Sequence, residues 1–123
     1  MGAAKENLKK IVLRMEDNVK VEDMFTTNIG GKDIAWDKTF QFTLDNEVPF
    51  FLEIKNKKVK IVEGTSSDAG VVLTGDPNSI VNICNGKGDF THAISREEIT
   101  VAEGKVMDVI RLTKAITIIL KIK

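Results

Sequence analysis

The chain opens on a helical period. Leu8, Ile11, Val12 and Met15 recur at i, i+3, i+4 and i+7, which predicts an amphipathic helix over residues 3–17. Lys5, Lys9, Lys10 and Arg14 take much of the other face, and Glu6 supports Lys10 one turn on. Asn18 breaks or caps this helix. A short second helix is expected to hold Met24 and Phe25 before Gly30-Gly31 stops it.

From Thr39 the period drops to two. Phe40, Phe42 and Leu44 alternate with Thr39, Gln41 and Thr43, as in a strand with one buried face. Asp45-Asn46-Glu47 turns the chain, and Phe50, Leu52 and Ile54 alternate against Glu53 and Lys55. After a turn at Asn56-Lys57, Val59 and Ile61 alternate with Lys58 and Lys60. These segments predict an antiparallel meander with one apolar and one polar face. Thr65-Ser66-Ser67 is a loop. Residues 69–74 read as a fourth strand with Val71 and Leu73 in the core.

Asp76-Pro77 then opens a helix, an N-cap residue followed by proline in the first turn. It turns Ile80, Val81 and Cys84 inward and stops at Gly86. Residues 87–97 read as irregular, with Phe90 and Ile94 tucked in. Ile99 and Val101 mark a fifth strand, which Gly104 breaks. Between Lys105 and Leu120, 10 of 16 residues are apolar, too many for a one-sided surface helix with a stripe about 100° wide. This terminal helix is therefore buried on two sides, meets a partner, or walls a space for a ligand. From Thr117 the residues are β-branched, and an extended tail is the other reading there. A meander with one apolar face needs helices over it. The order thus predicts one domain over residues 1–123, a two-layer α+β sandwich with a mostly antiparallel five-stranded sheet.

Composition narrows the function. The 18 basic and 18 acidic residues cancel, and the six Phe and one Trp do not interleave with a basic stripe, so nucleic acid is not an expected partner. A single cysteine excludes an intrachain disulfide and points to a reducing, cytoplasmic setting. The start, MGAAKENLKK, has no apolar run for a signal peptide, and Glu6 departs from a myristoylation signal. The run Ile118–Leu120 is far short of the roughly 18 residues that span a bilayer.

Candidate chemistry is sparse. Cys84 reads as a small buried hydrophobe, because the one histidine, His92, lies eight residues on across a loop. One Cys and one His supply few soft metal ligands. Glu97-Glu98 and the pair Asp17 with Asp23 have no diagnostic spacing, and Gly86-Lys87-Gly88 lacks the pattern of a phosphate loop. No catalytic residue, metal site or cofactor is therefore expected. Trp36 packs at the core rim or anchors at a membrane interface. The basic face of the first helix is suited to transient contact with anionic membranes.

The ordered segments resemble the sterol carrier protein 2 domain family from Phe40 to about Leu112. The resemblance rests on TFQFTL, then VPFFLEIKNKKVKIVEG with its Pro-aromatic corner, then SDAGVVLTG, DPNSIVNICNGKG, FTHAISRE and ITVAEGKVMDVIRL. Three features depart from the family pattern. Lys105 follows Gly104 where Asp is usual, one extra residue lies between Val101 and Gly104, and Glu97 or Glu98 replaces a usual Gly. The resemblance implies helices on one face of the sheet, an apolar tunnel between the layers, and loose binding of fatty acids, acyl-CoA, phospholipids, isoprenoids or sterols without catalysis. The expected tunnel floor is Phe40, Phe42, Phe50, Leu52 and Ile54, with Val71, Leu73 and Val101 beside it. Ile80 and Cys84 come from the middle helix, and Met107, Ile110 and Ile116 form the opposite wall. The alternative is a ligand-free module that dimerises or meets a partner through the apolar terminal helix.

Overall fold

The structure is a computed structural model that describes residues 3–15 and 18–121. Glu16 and Asp17, and with them the expected helix end and the Asp17–Asp23 pair, lie outside the described residues, as do Met1, Gly2, Ile122 and Lys123. The first helix, α1 (Ala3–Met15), buries Leu8, Ile11, Val12 and Met15 as its period requires. Asn18 caps the next helix rather than the first: its side chain accepts from Val21 N at the start of α2 (Val19–Met24).

The stretch after α2 differs from expectation. A two-stranded hairpin, β1 (Thr26–Ile29) and β2 (Lys32–Ala35), turns at Gly30-Gly31. Its eight residues are exposed or half-buried, so no alternation of buried positions marks it.

The main sheet joins β3 (Lys38–Leu44), β4 (Phe50–Lys55), β5 (Lys58–Glu63), β6 (Val71–Gly75) and β7 (Ile99–Glu103). Their order across the sheet is β5-β4-β3-β6-β7. Three pairings are antiparallel and one, β3 with β6, is parallel, with Phe40 beside Val71 and Phe42 beside Leu73. Between β6 and β7 the register shifts: Leu73 faces Val101 while Val72 faces Glu103. Ala102 is thus one residue too many for the ladder, a bulge at the place where the sequence carries an extra residue.

The chain crosses from β5 to β6 over the face away from the helices. Gln41, on that face, ties the crossing down: its amide donates to Gly64 O at 3.2 Å and Phe50 O at 3.1 Å, and Ser66 N donates to its Oε1 at 2.8 Å. Gln41 is therefore 3% exposed, against the expectation of a solvated polar face.

Three more helices complete the chain. In α3 (Pro77–Cys84) Asp76 caps as expected, but Ile83 rather than Val81 joins Ile80 and Cys84 inside. Residues expected to be irregular form α4 (Phe90–Ser95), capped by Asp89, and Phe90 is fully buried. The last helix, α5 (Val106–Leu120), continues through its β-branched end. Arg14 of α1 reaches that end and donates to Ile119 O at 2.9 Å, in the last turn of the helix.

At the other end of α5, Lys105 occupies the N-cap with no side-chain hydrogen bond. Lys105→Asp supplies the missing acceptor. It should raise stability by about 1 kcal/mol, read as a higher urea midpoint with an unchanged slope.

Candidate functional site

Nine of the expected lining residues meet in one apolar layer. Phe40, Phe42, Phe50, Leu52, Ile54, Val71, Leu73, Ile80 and Ile116 are each no more than 1% exposed. The strand alternation puts the first seven on the helix-covered face of the sheet. Phe42 and Phe50 stack with ring centroids 5.0 Å apart, and Phe90 of α4 leans on Phe42 at 6.3 Å. Cys84 lies at the edge of this layer, and Val101 and Ile110 are half-buried.

Met107 does not join them. It is 77% exposed. The face that α5 buries is Val109, Leu112, Ile116 and Ile119, at helical i, i+3, i+7 and i+10. Met107 sits roughly 200° round the helix from Val109, so it points outward. Sequence reasoning missed Leu112 and Ile119 on the buried stripe, although their spacing from Ile116 marks them. It also missed Phe25, Ile83 and Ile99 in the same core.

Charged groups stand at the margin of the layer. Trp36 stacks on Phe25 at 6.0 Å and leans on Phe40 at 5.9 Å, so it is a rim residue of the core. Arg111 of α5 lies 4.6 Å from the Trp36 ring centroid and donates to Thr27 Oγ1 at 3.0 Å, which holds the hairpin against the helix. Lys38 pairs with Asp108 at 3.4 Å beside them.

Two surface hollows adjoin the layer. One, about 450 Å3, is lined by Val12, Leu13, Met15 and Val21 with Lys57, Lys58 and Lys60. The other, about 510 Å3, lies on the outer side of α5 against Met24 and the start of α4.

The reactive side chains are held apart from this layer or silenced in it. Burial pushes the Cys84 thiol up to about 12, so almost no thiolate exists at neutral pH. His92 stands on the surface with Nδ1 3.4 Å from Asp89 Oδ1, and Glu98 accepts from Ser79 Oγ at 2.8 Å. Among the described residues, no group of three or more His, Cys, Asp or Glu is placed to hold a metal ion, and no helix is long and apolar enough to cross a membrane.

Cys84 should therefore resist iodoacetamide at pH 8 and react fully once urea unfolds the chain. The thiol is raised in the folded state, so unfolding releases a proton above its ordinary value. Stability should fall as pH climbs past 9, with no contribution from this group below it. Rapid native alkylation would show an accessible thiol instead.

The SCP-2 sterol transfer family model matches residues 30–116. Sequence comparison with curated proteins gives no match. Among solved structures, sterol carrier protein 2 is similar over 100% of this chain and 98% of its own, at 12% identity and a TM-score of 0.65. Palmitated SCP2L2 from Aedes aegypti is similar over 89% of this chain and 93% of its own, at 16% identity and a TM-score of 0.57. The inverting sec-alkylsulfatase Pisa1 from Pseudomonas sp. also matches, at 17% identity and a TM-score of 0.55. That match covers 66% of this chain and only 12% of the sulfatase. At these identities the structural likenesses establish the fold.

Proposed function

The chain belongs to the SCP-2 sterol transfer family, and from that premise we propose that it binds and hands on hydrophobic ligands without catalysing a reaction. The ligand class is a fatty acid, acyl-CoA, phospholipid, isoprenoid or sterol-like molecule, and the setting is cytoplasmic. The observation that carries this reading is the layer itself. Sheet and helices meet there through one continuous cluster of apolar side chains, from Phe40 and Phe50 on one side to Leu112 and Ile116 on the other.

Such a layer offers a hydrocarbon chain the environment it lacks in water, at about 0.8 kcal/mol per CH2 buried. No polar side chain in it selects one head group, which fits loose specificity. The side chains of the layer have almost no surface open to solvent, so on this reading uptake requires the helices to part from the sheet. The tunnel is then a minor conformation that the ligand populates. Release at a membrane surface is part of the same reading, with Lys9 and Lys10 of α1 facing anionic lipid; of the four basic residues expected on that face, Arg14 is turned to Ile119 O and Lys5 is paired with Glu63 at 3.7 Å.

The other reading, a partner module using α5, loses much of its surface. Val109, Leu112, Ala115, Ile116 and Ile119 are covered within the chain, and the large apolar residues that α5 leaves exposed are Val106 and Met107.

Native mass spectrometry of freshly purified protein tests the proposal. Lipid should remain bound, and adding lipid should displace a fluorescent fatty-acid probe. Protein free of lipid that neither takes up nor releases the probe would overturn it.

A further inference from the structure

The β1–β2 hairpin and the start of α5 carry apolar surface that the layer between sheet and helices does not use. Of the seven large apolar side chains left exposed among the described residues, four are on these two segments: Ile29 and Ile34 on the hairpin, Val106 and Met107 on α5. Single exposed apolar residues are ordinary, whereas several side by side mark a surface with a use.

The ladder sets them side by side. Thr27 lies opposite Ile34, and Ile29 opposite Lys32, so these four side chains share one face of the hairpin. Thr27, on that face, accepts from Arg111 Nη1 at 3.0 Å, and Met107 is one turn before Arg111. The apolar face of the hairpin thus borders the start of α5. Its tip stands clear of the chain, since a Cβ at Gly30 or Gly31 would meet nothing within 4 Å.

Charge is sorted in the same way. Lys32, Lys105 and Lys114 are exposed around the patch, and among the described residues none of them has an ion-pair or hydrogen-bond partner. The acids of the two segments are engaged or turned away. Asp33 is on the other hairpin face, where it accepts from Asn28 Nδ2 at 3.1 Å. Asp37 accepts from Asn56 N at 3.1 Å, and Asp108 pairs with Lys38. Glu103 lies opposite Val72, which lies opposite Gln41, on the side of the sheet away from the helices.

A projecting apolar tip among free cations is complementary to a fluid, anionic, apolar phase. A second copy of the chain would set the lysines against their own counterparts. A folded partner is held by aromatic or arginine anchors seated in pockets, but these side chains are not aromatic and they project, and Arg111 is already used within the chain.

We propose that the hairpin tip and the start of α5 insert together into an anionic lipid bilayer. Ile29, Ile34, Val106 and Met107 enter between the head groups, and the lysines around them meet lipid phosphates. This names an inserting surface, distinct from Lys9 and Lys10 of α1, for the membrane step of the reading above. It stands whether or not the layer takes a ligand.

The test is co-sedimentation of the full chain with vesicles of phosphatidylcholine alone and of phosphatidylcholine mixed with phosphatidylglycerol. The chain should bind the mixed vesicles and not the neutral ones. Ile29→Ser with Met107→Ser, and separately Lys32→Gln with Lys105→Gln, should each weaken that binding about tenfold. The melting temperature should change little in either, because all four side chains are exposed. Insertion is read directly by an environment-sensitive dye on Ile29→Cys, Cys84 being buried. Its emission should shift to the blue on mixed vesicles alone. No binding to mixed vesicles, full binding by the Ile29 and Met107 variant, or a dye that does not shift would overturn the proposal. So would binding that is lost in Lys9→Gln with Lys10→Gln and kept in both hairpin variants. Displacement of the fatty-acid probe reports on the layer separately in every case.

Discussion

Phe42→Ala should cost about 3–5 kcal/mol of stability, read as a large fall in the urea midpoint. Phe42 has no exposed surface, and it lies on the central strand between β4 and β6. Its loss removes a phenyl ring's worth of burial and two ring contacts at once, to Phe50 and Phe90, which come from different elements. A domain of this size has only about 5–15 kcal/mol in total, so the variant is folded by a narrow margin.

The same variant probes function. The vacated volume lies inside the proposed ligand layer. A saturating hydrocarbon ligand at a hundred times its dissociation constant should return about 2.7 kcal/mol. The melting temperature of Phe42→Ala should then rise on adding fatty acid by at least as much as that of the unaltered chain. A cost below about 1 kcal/mol would mean that Phe42 is not at the packed centre, and no rise with fatty acid would count against the layer as a ligand site.

The phenylalanine alternation is the reason this centre was legible. In β3 and β4 the buried apolar residues fall on every second position, Phe51 lying half-buried on the other face beside Gln41, and a one-residue slip would carry the buried set to that face. The cap at Asp76-Pro77 and the excess of apolar residues in α5 were equally plain, since each depends on neighbours a few positions away. What the pattern did not carry was lateral order. Nothing in Val71 to Gly75 states that it lies parallel to β3, with β7 beyond it and β4 and β5 beyond β3. That placement is fixed by the crossing loop, whose anchor is one glutamine reaching backbone groups at Gly64 and Ser66. The hairpin β1–β2 was hidden for a related reason. Its residues face solvent or lie at the rim, so it lacks a buried period, and its hold on the fold comes from Arg111, 84 positions away from Thr27. The Gly30-Gly31 pair between two short stretches was its one local signal.

The candidate site divides the same way. The sheet side of the layer followed from alternation. The helix side did not, because an apolar count in α5 does not say which apolar residue faces inward. Met107 and Ile116 looked equivalent in sequence, yet roughly 180° of helical rotation separates them. Only a fixed partner surface, here the sheet and the Arg14–Ile119 contact, sets the helix's rotation about its own axis.

The junction of β6 with β7 is the second place where one substitution should be severe. Gly75→Ala is expected to cost at least about 3 kcal/mol, from two sources that add. Gly75 has φ +134°, a conformation close to glycine-only, which a side chain occupies at a strain of about 1–3 kcal/mol. A Cβ there would also collide with Glu98 O and meet Ile99 Cα at 3.0 Å, backbone atoms at the start of the facing strand. Neither is the free end of a flexible side chain, so relief requires β7 to move away from β6. That movement pulls on the Asp76 N to Glu98 O bond of 3.0 Å, which sits beside the cap of α3, and on the pairing of Gly75 with Ile99. A comparison with Gly86→Ala separates the two sources. Gly86 also has a positive φ, +79°, but a Cβ there meets nothing within 4 Å. Its alanine variant should lose only about 1 kcal/mol, the strain alone. Equal costs in the two variants would mean that the contact at Gly75 relaxes freely, and that β7 is not held against β6 as tightly as the register shows.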